Sequence, residues 1–129
     1  MAVAQRMSEK AYQEFVLSGV EGAWELHDGR LVEKPGVTWG HTAIASLLGV
    51  FLQNQLDLDE YRVFFEGRVR RPADTIFLPD VFVVPTAFGE PFRNVQTLAI
   101  FSDPLPLIVE VWSASTGDYD VETRLPVYH

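Results

Sequence analysis

The sequence contains no cysteine, and this absence limits both its covalent and its metal chemistry. A chain without cysteine has neither a disulfide framework nor a thiolate metal site. It also lacks the HExxH and CxxC motifs and any cluster of histidines, which argues against a zinc site. Neither a P-loop nor a GxGxxG segment is present, so the usual nucleotide-binding loops are excluded.

Long apolar runs are missing as well. Polar or charged residues interrupt each apolar stretch within about ten residues, whereas a membrane-spanning helix needs roughly 20. The first residues show no signal-peptide pattern, which would place an apolar core after a basic region. These absences predict a cytoplasmic protein that does not associate with a membrane.

The chain has 129 residues, of which 47% are hydrophobic and 22% are charged, a composition that suits one folded domain with a substantial core. The formal net charge of −8 argues against broad nucleic-acid binding through a basic surface. It does not exclude a nucleic-acid site, because carboxylates gathered around a metal ion also contribute negative charge. The one clear basic cluster, "EGRVRR" at 66–71, is interpreted as a solvated edge strand, with a local basic patch for nucleic acid as the alternative.

Apolar periodicity and turn residues predict the following elements: a helix in "SEKAYQEFVLSG" from Ser8 to Gly19, a hairpin in "AWELHDGRLVEK" turning at Asp28-Gly29, a helix in "GHTAIASLLGVFLQNQLD", strands in "YRVFFEGRVRR" and "TIFLPDVFVVP", a loop at about 86–103, a strand in "LPLIVEVWSAST", and a helix start in "DYDVETRLPVYH". The second helix carries apolar residues at 44, 47, 48, 51, 52 and 56, a stripe that should pack on a sheet. This order predicts one α+β domain over residues 1–129, layered in the manner of α/β proteins.

Two carboxylates occupy unusual positions in apolar strands. Glu110 lies in the middle of "LPLIVEVWSAST", which is interpreted as a strand buried on both faces. Asp80 follows Pro79 and opens the run "VFVV", which is also strand-like. A buried charge without a partner costs several kcal/mol, or its pKa shifts until the group is neutral. We therefore expect the two carboxylates to converge, and at least one of them to have a raised pKa.

A divalent cation is the simplest partner for the two acids, since Mg²⁺ binds through one or two carboxylates together with waters. Asp80 and Glu110 are thus the predicted ligands of Mg²⁺ or Mn²⁺. The alternative interpretation of Asp80 is a turn or strand cap. The alternative for Glu110 is a structural ion pair with an arginine: Arg68, Arg70 or Arg124.

Pro79-Asp80 and the later "VEVWS" at 109–113 resemble the Pro-Asp … (Asp/Glu)-x-Lys pattern of the PD-(D/E)XK nuclease superfamily. The sequence more closely resembles the bacterial "putative restriction endonuclease" family, formerly described as a domain of unknown function. That resemblance runs over nearly the whole chain, through "WELHDGRLVEK", the histidine of "GHTAIASLL", "LPDVFVV", "LIVEVWSAST" and "DYDVETRLPVY". It implies a restriction-endonuclease-like core, with a mixed sheet and flanking helices, and metal-dependent cleavage of DNA.

The resemblance includes a departure at the motif lysine. Trp112 stands two residues after Glu110, where the superfamily pattern has lysine, and members of the family carry a lysine on the following helix instead. The matching position here is Arg124, which is the third predicted catalytic residue after Asp80 and Glu110. Arginine can bind phosphate bidentately but cannot serve as a base, so the exchange is not conservative. Relatives also continue into a further strand and a β-rich tail that this sequence lacks.

Three further residues are assigned auxiliary roles. Glu25, in the hairpin, is either a further acid in the same cleft or an exposed charge. His41, near the start of its helix, either orients a water or accepts a proton, or is a plain helix-start residue. Asp120 precedes Arg124 by four residues, so on a helix the two share a face and can form an ion pair.

These features predict a Mg²⁺-dependent, endonuclease-like phosphodiesterase acting on DNA. The alternative is a catalytically inactive nuclease-fold protein that serves as an interaction or nucleic-acid-binding module, and a third possibility is a truncated paralogue. Arg124 and the shorter C-terminus favour the inactive protein, whereas the retained acids favour the enzyme. A homodimer is also expected, because a sheet edge that relatives would cover with another strand tends to find a partner.

Overall fold

A computed structural model describes residues 6–111 of the chain. Its elements in chain order are α1 Glu9–Leu17, β1 Trp24–His27, β2 Arg30–Glu33, α2 Trp39–Gln55, β3 Tyr61–Phe65, β4 Arg68–Arg71, β5 Thr75–Phe77, β6 Val81–Pro85, a 3₁₀ helix Thr86–Phe92, β7 Ile100–Phe101 and β8 Leu107–Val109. Across this range, no helix is both long enough and apolar enough to cross a membrane.

The first helix and the hairpin form where the sequence predicts them. The Ser8 hydroxyl accepts a hydrogen bond of 3.1 Å from the Ala11 amide and so caps the N-terminus of α1. Gly19 follows the helix with a φ of +90°, which suits glycine. Strands β1 and β2 pair antiparallel, and both turn residues, Asp28 and Gly29, have positive φ. A type I′ hairpin turn needs this conformation at both central positions.

The strands form two sheets. The first has five strands in the order β2-β1-β5-β4-β7, in which β4 and β7 are parallel and the other neighbours are antiparallel. The second has three antiparallel strands in the order β3-β6-β8. Each predicted strand segment, 61–71 and 75–85, supplies one strand to each sheet. The predicted α+β fold with a mixed sheet is confirmed, and the second sheet is a feature that the sequence did not reveal.

The chain passes from the first sheet to the second through three buried residues. Leu78, Pro79 and Asp80 join β5 to β6, and Leu78 and Asp80 are 3% and 4% exposed. The earlier passage, from β3 back to β4, is made at Glu66, which has a φ of +57°, and at Gly67. Asp80 therefore lies at a junction between the sheets and not at a loop tip.

Helix α2 packs on the three-stranded sheet with only part of the face that the sequence predicts, since Leu52 and Leu56 of the predicted stripe pack against the core. Its buried residues are mostly small: His41, Ala45 and Gly49. Three members of the predicted stripe are more than half exposed: Ile44, Leu47 and Phe51. The small residues face the sheet because they permit close approach, since a Cβ at Gly49 would lie 2.1 Å from Cζ of Phe65. For these three residues the predicted packing face is wrong.

The basic segment "EGRVRR" is not a solvated edge strand. Its strand, β4, lies between β5 and β7, and Val69 is buried. The Arg70 guanidinium donates to both carboxylate oxygens of Glu9 on α1, at 3.0 and 2.9 Å. Arg68 donates to the Tyr12 hydroxyl of the same helix at 3.1 Å. The prediction is wrong because β4 is an inner strand and because Arg68 and Arg70, although Arg70 remains 39% exposed, connect α1 to the sheet.

The strand that precedes Glu110 is also less buried than predicted. Strand β8 pairs with β6 and is an edge of the described three-stranded sheet. Leu107 is 40% exposed, and Ile108 and Val109 are half-buried. Their side chains contact different core clusters on the two faces of the sheet, but neither face is fully covered. The prediction of burial on both faces is therefore wrong for β8.

Candidate active site

Asp80 and Glu110 lie at adjoining ends of neighbouring strands. Strands β6 and β8 are antiparallel with Val81 opposite Val109, so the residue before β6 and the residue after β8 are neighbours. The side chain of Asp80 hydrogen-bonds the side chain of Glu110. The structure thus brings together the two acids that the sequence predicts to converge.

One oxygen of Asp80 has two nitrogen neighbours. The backbone amide of Val111 donates to Oδ2 at 2.7 Å, and Nε2 of His41 lies 3.2 Å from the same oxygen. His41 reaches this position because it is in the first turn of α2, where the Thr38 side chain caps the helix by accepting from the His41 amide at 3.2 Å. His41 is therefore more than a helix-start residue, since its imidazole contacts the central carboxylate.

The other oxygen of Asp80 binds Lys34, a residue that the sequence analysis missed. The Lys34 ammonium donates to Oδ1 of Asp80 at 3.2 Å, to Oε1 of Glu66 at 3.1 Å and to the carbonyl oxygen of Leu78 at 2.8 Å. The Lys34 side chain is 7% exposed. Its three N–H donors thus have three acceptors, two of them carboxylates.

A signal for Lys34 was present in the sequence. The chain contains two lysines, and the other, Lys10, is exposed on α1. Lys34 follows the second strand of the predicted hairpin, and its backbone amide continues the strand pairing to the carbonyl of Ala23. In a sequence that lacks the motif lysine, a lysine in a segment that carries the family resemblance was a candidate to test.

The environment of Asp80 lowers its pKa. Burial alone would raise the pKa of this carboxyl, but the charge of Lys34 and the hydrogen bonds from the Val111 amide, Glu110 and Lys34 outweigh burial. We expected a raised pKa in at least one of the two acids, and Asp80 does not meet that expectation. The expectation took account of burial and like charge but not of a lysine 3.2 Å away.

Glu25 is completely buried, so its interpretation as an exposed hairpin charge is wrong. Its Oε2 accepts a hydrogen bond of 2.6 Å from the Leu78 amide, and its Oε1 lies 2.9 Å from Nε2 of His27. Glu25 therefore holds the segment that carries Asp80 without lining the cavity beside it. Glu25 thus stabilises the backbone next to the site.

A cavity of about 300 Å³ borders Asp80. Its polar walls include His41 and Glu66, and its apolar walls include Ala45 of α2 and Phe65 of β3. This volume is at the lower end of the range of small-ligand pockets, about 300–1,000 Å³. The cavity can accept a group of the size of a phosphate and its sugar, and it gives that group access to Asp80 and His41.

The donor set fits a metal site with two protein carboxylates. Within residues 6–111, no group of three or more histidine, cysteine or acidic side chains is arranged to hold a metal ion. Two carboxylates are sufficient for Mg²⁺ when waters and substrate phosphate complete its coordination. The side chains of Asp80 and Glu110, which interact at adjoining strand ends, offer the place for such a cation.

Two predicted site residues lie outside the described residues. Arg124 and Asp120 come after Val111, the last of these, so their predicted catalytic and auxiliary roles stay predictions. Among the described residues, Asp80 contacts both Glu110 and His41, whereas Glu25 contacts the backbone amide of Leu78. Lys34, which the sequence analysis did not identify, also contacts Asp80.

Comparison with known proteins extends the resemblance seen in the sequence. The chain matches the Uma2 family, described as "Putative restriction endonuclease", over residues 11–129. No curated protein matches it significantly. Among solved structures it is similar to a putative nuclease belonging to DUF820 from Anabaena variabilis, with a TM-score of 0.70 and 21% identity. That match covers 90% of this chain and 64% of the other, so the chain spans less than two thirds of that protein's length.

The two comparisons confirm the predicted recognition and the fold class. The solved structure shares the mixed α+β architecture, and the family match includes every residue of the candidate site. The chain belongs to the Uma2 family of putative restriction endonucleases.

Proposed function

We propose that this protein is a metal-dependent phosphodiesterase that cleaves DNA. The observation that carries the proposal is the contact between the buried carboxylate of Asp80 and the side chain of Glu110, beside a cavity, in a chain of this family. Paired carboxylates at adjoining strand ends are what a nuclease needs to hold a divalent cation against a phosphate.

Asp80 and Glu110 would hold Mg²⁺ or Mn²⁺. When bound, the ion would lower the pKa of a coordinated water and neutralise charge on the scissile phosphate. The chain's own residues set the geometry: the Val111 amide fixes one oxygen of Asp80, and Glu25 fixes the backbone at Leu78. His41, whose Nε2 lies 3.2 Å from Oδ2 of Asp80, also lines the cavity and would be within reach of a reacting group there.

A plasmid-nicking assay with Mg²⁺ or Mn²⁺ tests the proposal. We expect the wild-type protein to convert supercoiled DNA to open circles and D80A to be at least a hundredfold slower, about 2.7 kcal/mol of barrier. D59A is the matched control, because Asp59 is exposed and precedes the end of β3 that pairs with Pro85, away from the end that pairs with Val81 beside Asp80. Equal nicking by D80A and D59A would show that the cleavage does not come from this site.

The second candidate is a catalytically inactive nuclease-fold protein that binds DNA. The observation that favours it is the ammonium of Lys34 on Asp80, which already neutralises the carboxylate that a metal ion needs. Arg124, at the position where relatives have lysine, points the same way. Retention of labelled DNA in a mobility-shift assay, without nicking under any metal, would select this candidate over the enzyme.

We further propose that two copies of the chain associate through the outer face of α2. None of the 17 residues of this helix is an acid, a lysine or an arginine. Its exposed large apolar side chains are Trp39, Ile44, Leu47, Val50 and Phe51, each at least 55% exposed. The largest exposed apolar patch on a monomer usually has an area of about 300–600 Å². In a standard protein–protein interface, each partner buries about 800 Å² of accessible surface.

The occupant of this face is argued from charge. The chain carries a net charge of −8, so two copies repel each other except where they meet through an uncharged surface. The α2 face is such a surface, and it offers no cation for DNA or for an anionic membrane. A second copy in the same compartment, proposed to be the cytoplasm, is the partner that fits.

Sedimentation velocity tests the dimer with L47E and a matched control, V95E. Leu47 is 72% exposed on α2, whereas Val95 is 47% exposed in the segment after the 3₁₀ helix. We expect wild type and V95E to be dimers and L47E to be a monomer. A wild-type protein that is monomeric at its highest soluble concentration would overturn the proposal and leave another segment or partner to cover α2.

A further inference from the structure

Lys34 is the one lysine among the described residues that is enclosed by acceptors. Its ammonium contacts Asp80, Glu66 and the Leu78 carbonyl, and its side chain is 7% exposed. A lysine is seldom buried unless it is paired, because its charge loses hydration. Here the cost is offset by two carboxylates, and the position it occupies is at an oxygen of the predicted metal ligand.

We infer that Lys34 is a built-in counter-ion that occupies the cation position at Asp80, so that a divalent metal ion must displace its ammonium from that carboxylate. The inference rests on the proposed metal-dependent function and deepens it. It assigns to Lys34 a positioning role, distinct from that of the motif lysine in the superfamily pattern. Metal binding in this protein is therefore weaker than the carboxylate pair alone would give.

The geometry shows why displacement is possible. Only one of the three donors of Lys34 goes to Asp80, while the other two go to Glu66 and to the carbonyl of Leu78. When the ammonium leaves Asp80, those two contacts can hold it close to the cavity, which Glu66 also lines. The displaced charge then lies near the place that a substrate phosphate would enter.

The hairpin makes this position rigid. Lys34 directly follows β2, and its amide donates to the carbonyl of Ala23 at 2.8 Å, which extends the β1–β2 pairing by one residue. Because β1 also pairs with β5, the backbone of Lys34 is fixed relative to the segment that leads to Asp80. The fixed backbone therefore keeps the ammonium within reach of Asp80 when a metal ion leaves.

The test is calorimetric titration of Mn²⁺, and in parallel of Mg²⁺, into the full chain without DNA. K34M removes the ammonium and keeps most of the side-chain volume, K34R keeps the charge, and K10M is the matched control on an exposed lysine of α1. We expect K34M to bind Mn²⁺ at least tenfold more tightly than wild type. K34R and K10M should remain within about threefold of wild type.

Thermal unfolding supplies a second readout. K34M leaves two carboxylates without their cation, so we expect its melting temperature to be lower than that of wild type without metal and to rise more when Mn²⁺ is added. Adding D80A to K34M should abolish the gain in affinity. A purely structural lysine would lower the stability of K34M without increasing its metal affinity, and that result would overturn the inference.

The outcome is separable from that of the proposed function. Affinity is measured without substrate, so K34M can gain affinity whether or not any variant nicks DNA. Equal Mn²⁺ affinity in wild type and K34M overturns the counter-ion role, even if the wild type cleaves DNA in a manner that requires Asp80. Tighter binding by K34M with no cleavage by any variant supports the counter-ion role and contradicts the enzyme.

Discussion

Glu25 and Asp80 are both buried carboxylates, 0% and 4% exposed, but their side chains have different surroundings. Glu25 lies in the five-stranded sheet, accepts from a backbone amide and contacts a histidine two residues along its own strand. Asp80 lies at the entrance to the three-stranded sheet, also accepts from an amide and contacts a histidine, and in addition meets Glu110, Lys34 and a cavity.

The contrast between Glu25 and Asp80 shows which features of a buried acid indicate chemistry. An amide donor and a histidine satisfy a carboxylate in either sheet, so they do not distinguish support from function. What distinguishes Asp80 is a second acid, which needs a proton or a cation between the two groups, and an open space where a substrate could lie.

The largest contrast should come from alanine substitution of each buried acid. E25A leaves the Leu78 amide without its acceptor, so we expect the free energy of unfolding to fall by about 3 kcal/mol. DNA nicking per folded molecule should remain within a few-fold of wild type, whereas D80A should lose at least a hundredfold. Urea denaturation gives the stability, and circular dichroism at the assay temperature gives the folded fraction.

The opposite pattern would reverse the assignment. If E25A at full folding loses as much nicking as D80A, then Glu25 takes part in the chemistry and its burial behind Leu78 changes when DNA binds. If D80A destabilises the chain but nicks normally, Asp80 is a structural partner of Lys34 and the carboxylate pair is not a metal site.

The next effect concerns Arg124. R124K introduces the lysine that the family resemblance implies at this position. A lysine can place and polarise an attacking water, whereas an arginine cannot act as a base. If the site is otherwise intact, we expect Mg²⁺-dependent nicking to rise tenfold or more, about 1.4 kcal/mol of barrier. R93K, at an exposed arginine of the described chain, is the control for the exchange itself.

An unchanged absence of nicking in R124K, together with no heat of Mg²⁺ binding in calorimetry, would end the enzyme proposal and leave the DNA-binding module. A gain in R93K equal to that in R124K would show that the effect is unrelated to the site.

The first parts of the fold were predictable because their signals are local. The Ser8 cap and the Asp28-Gly29 turn depend on a few adjacent residues, and both form as the sequence indicates. The contact of Asp80 with Glu110 was also within reach, because an acid in an apolar strand needs a partner and two such acids were present.

What could not be predicted depends on tertiary contact. The close approach of α2 to the sheet depends on the contact of Phe65 with Gly49, and apolar periodicity does not report such a contact in a helix without charged residues. The position of Lys34 depends on how the hairpin lies against the β5–β6 junction. No spacing in the sequence shows that residues 34 and 80 are neighbours.

A smaller effect is expected from removing the caps of the two helices, α1 and α2. Ser8 caps α1 by accepting from Ala11, and Thr38 caps α2 by accepting from the amide of His41. We expect S8A and T38A each to lower the free energy of unfolding by about 1 kcal/mol in urea denaturation. Only T38A should also slow nicking, by a few-fold, because its cap holds the backbone of the histidine that contacts Asp80. Equal nicking by both variants would show that His41 does not need this support.

The smallest effect is the dependence of stability on pH. Burial by itself raises the pKa of Asp80, but Lys34 and the hydrogen bonds from Val111 and Glu110 lower it below its usual value of about 3.9. A carboxyl group with a lower pKa in the folded chain than in the unfolded chain contributes stability above the unfolded pKa. It loses that contribution as the pH falls through the folded pKa.

The difference in free energy of unfolding between wild type and D80N should therefore be constant near neutral pH and shrink below about pH 4. Urea denaturation of both proteins across this range measures it, and the shrinkage should be weaker in a K34M background, where the lysine charge that lowers the pKa is gone. A difference that stays constant through acid pH in the presence of Lys34 would show that the ionised form of Asp80 is not favoured by folding, and the distinction between Asp80 and Glu25 would then rest on the cavity and the second acid alone.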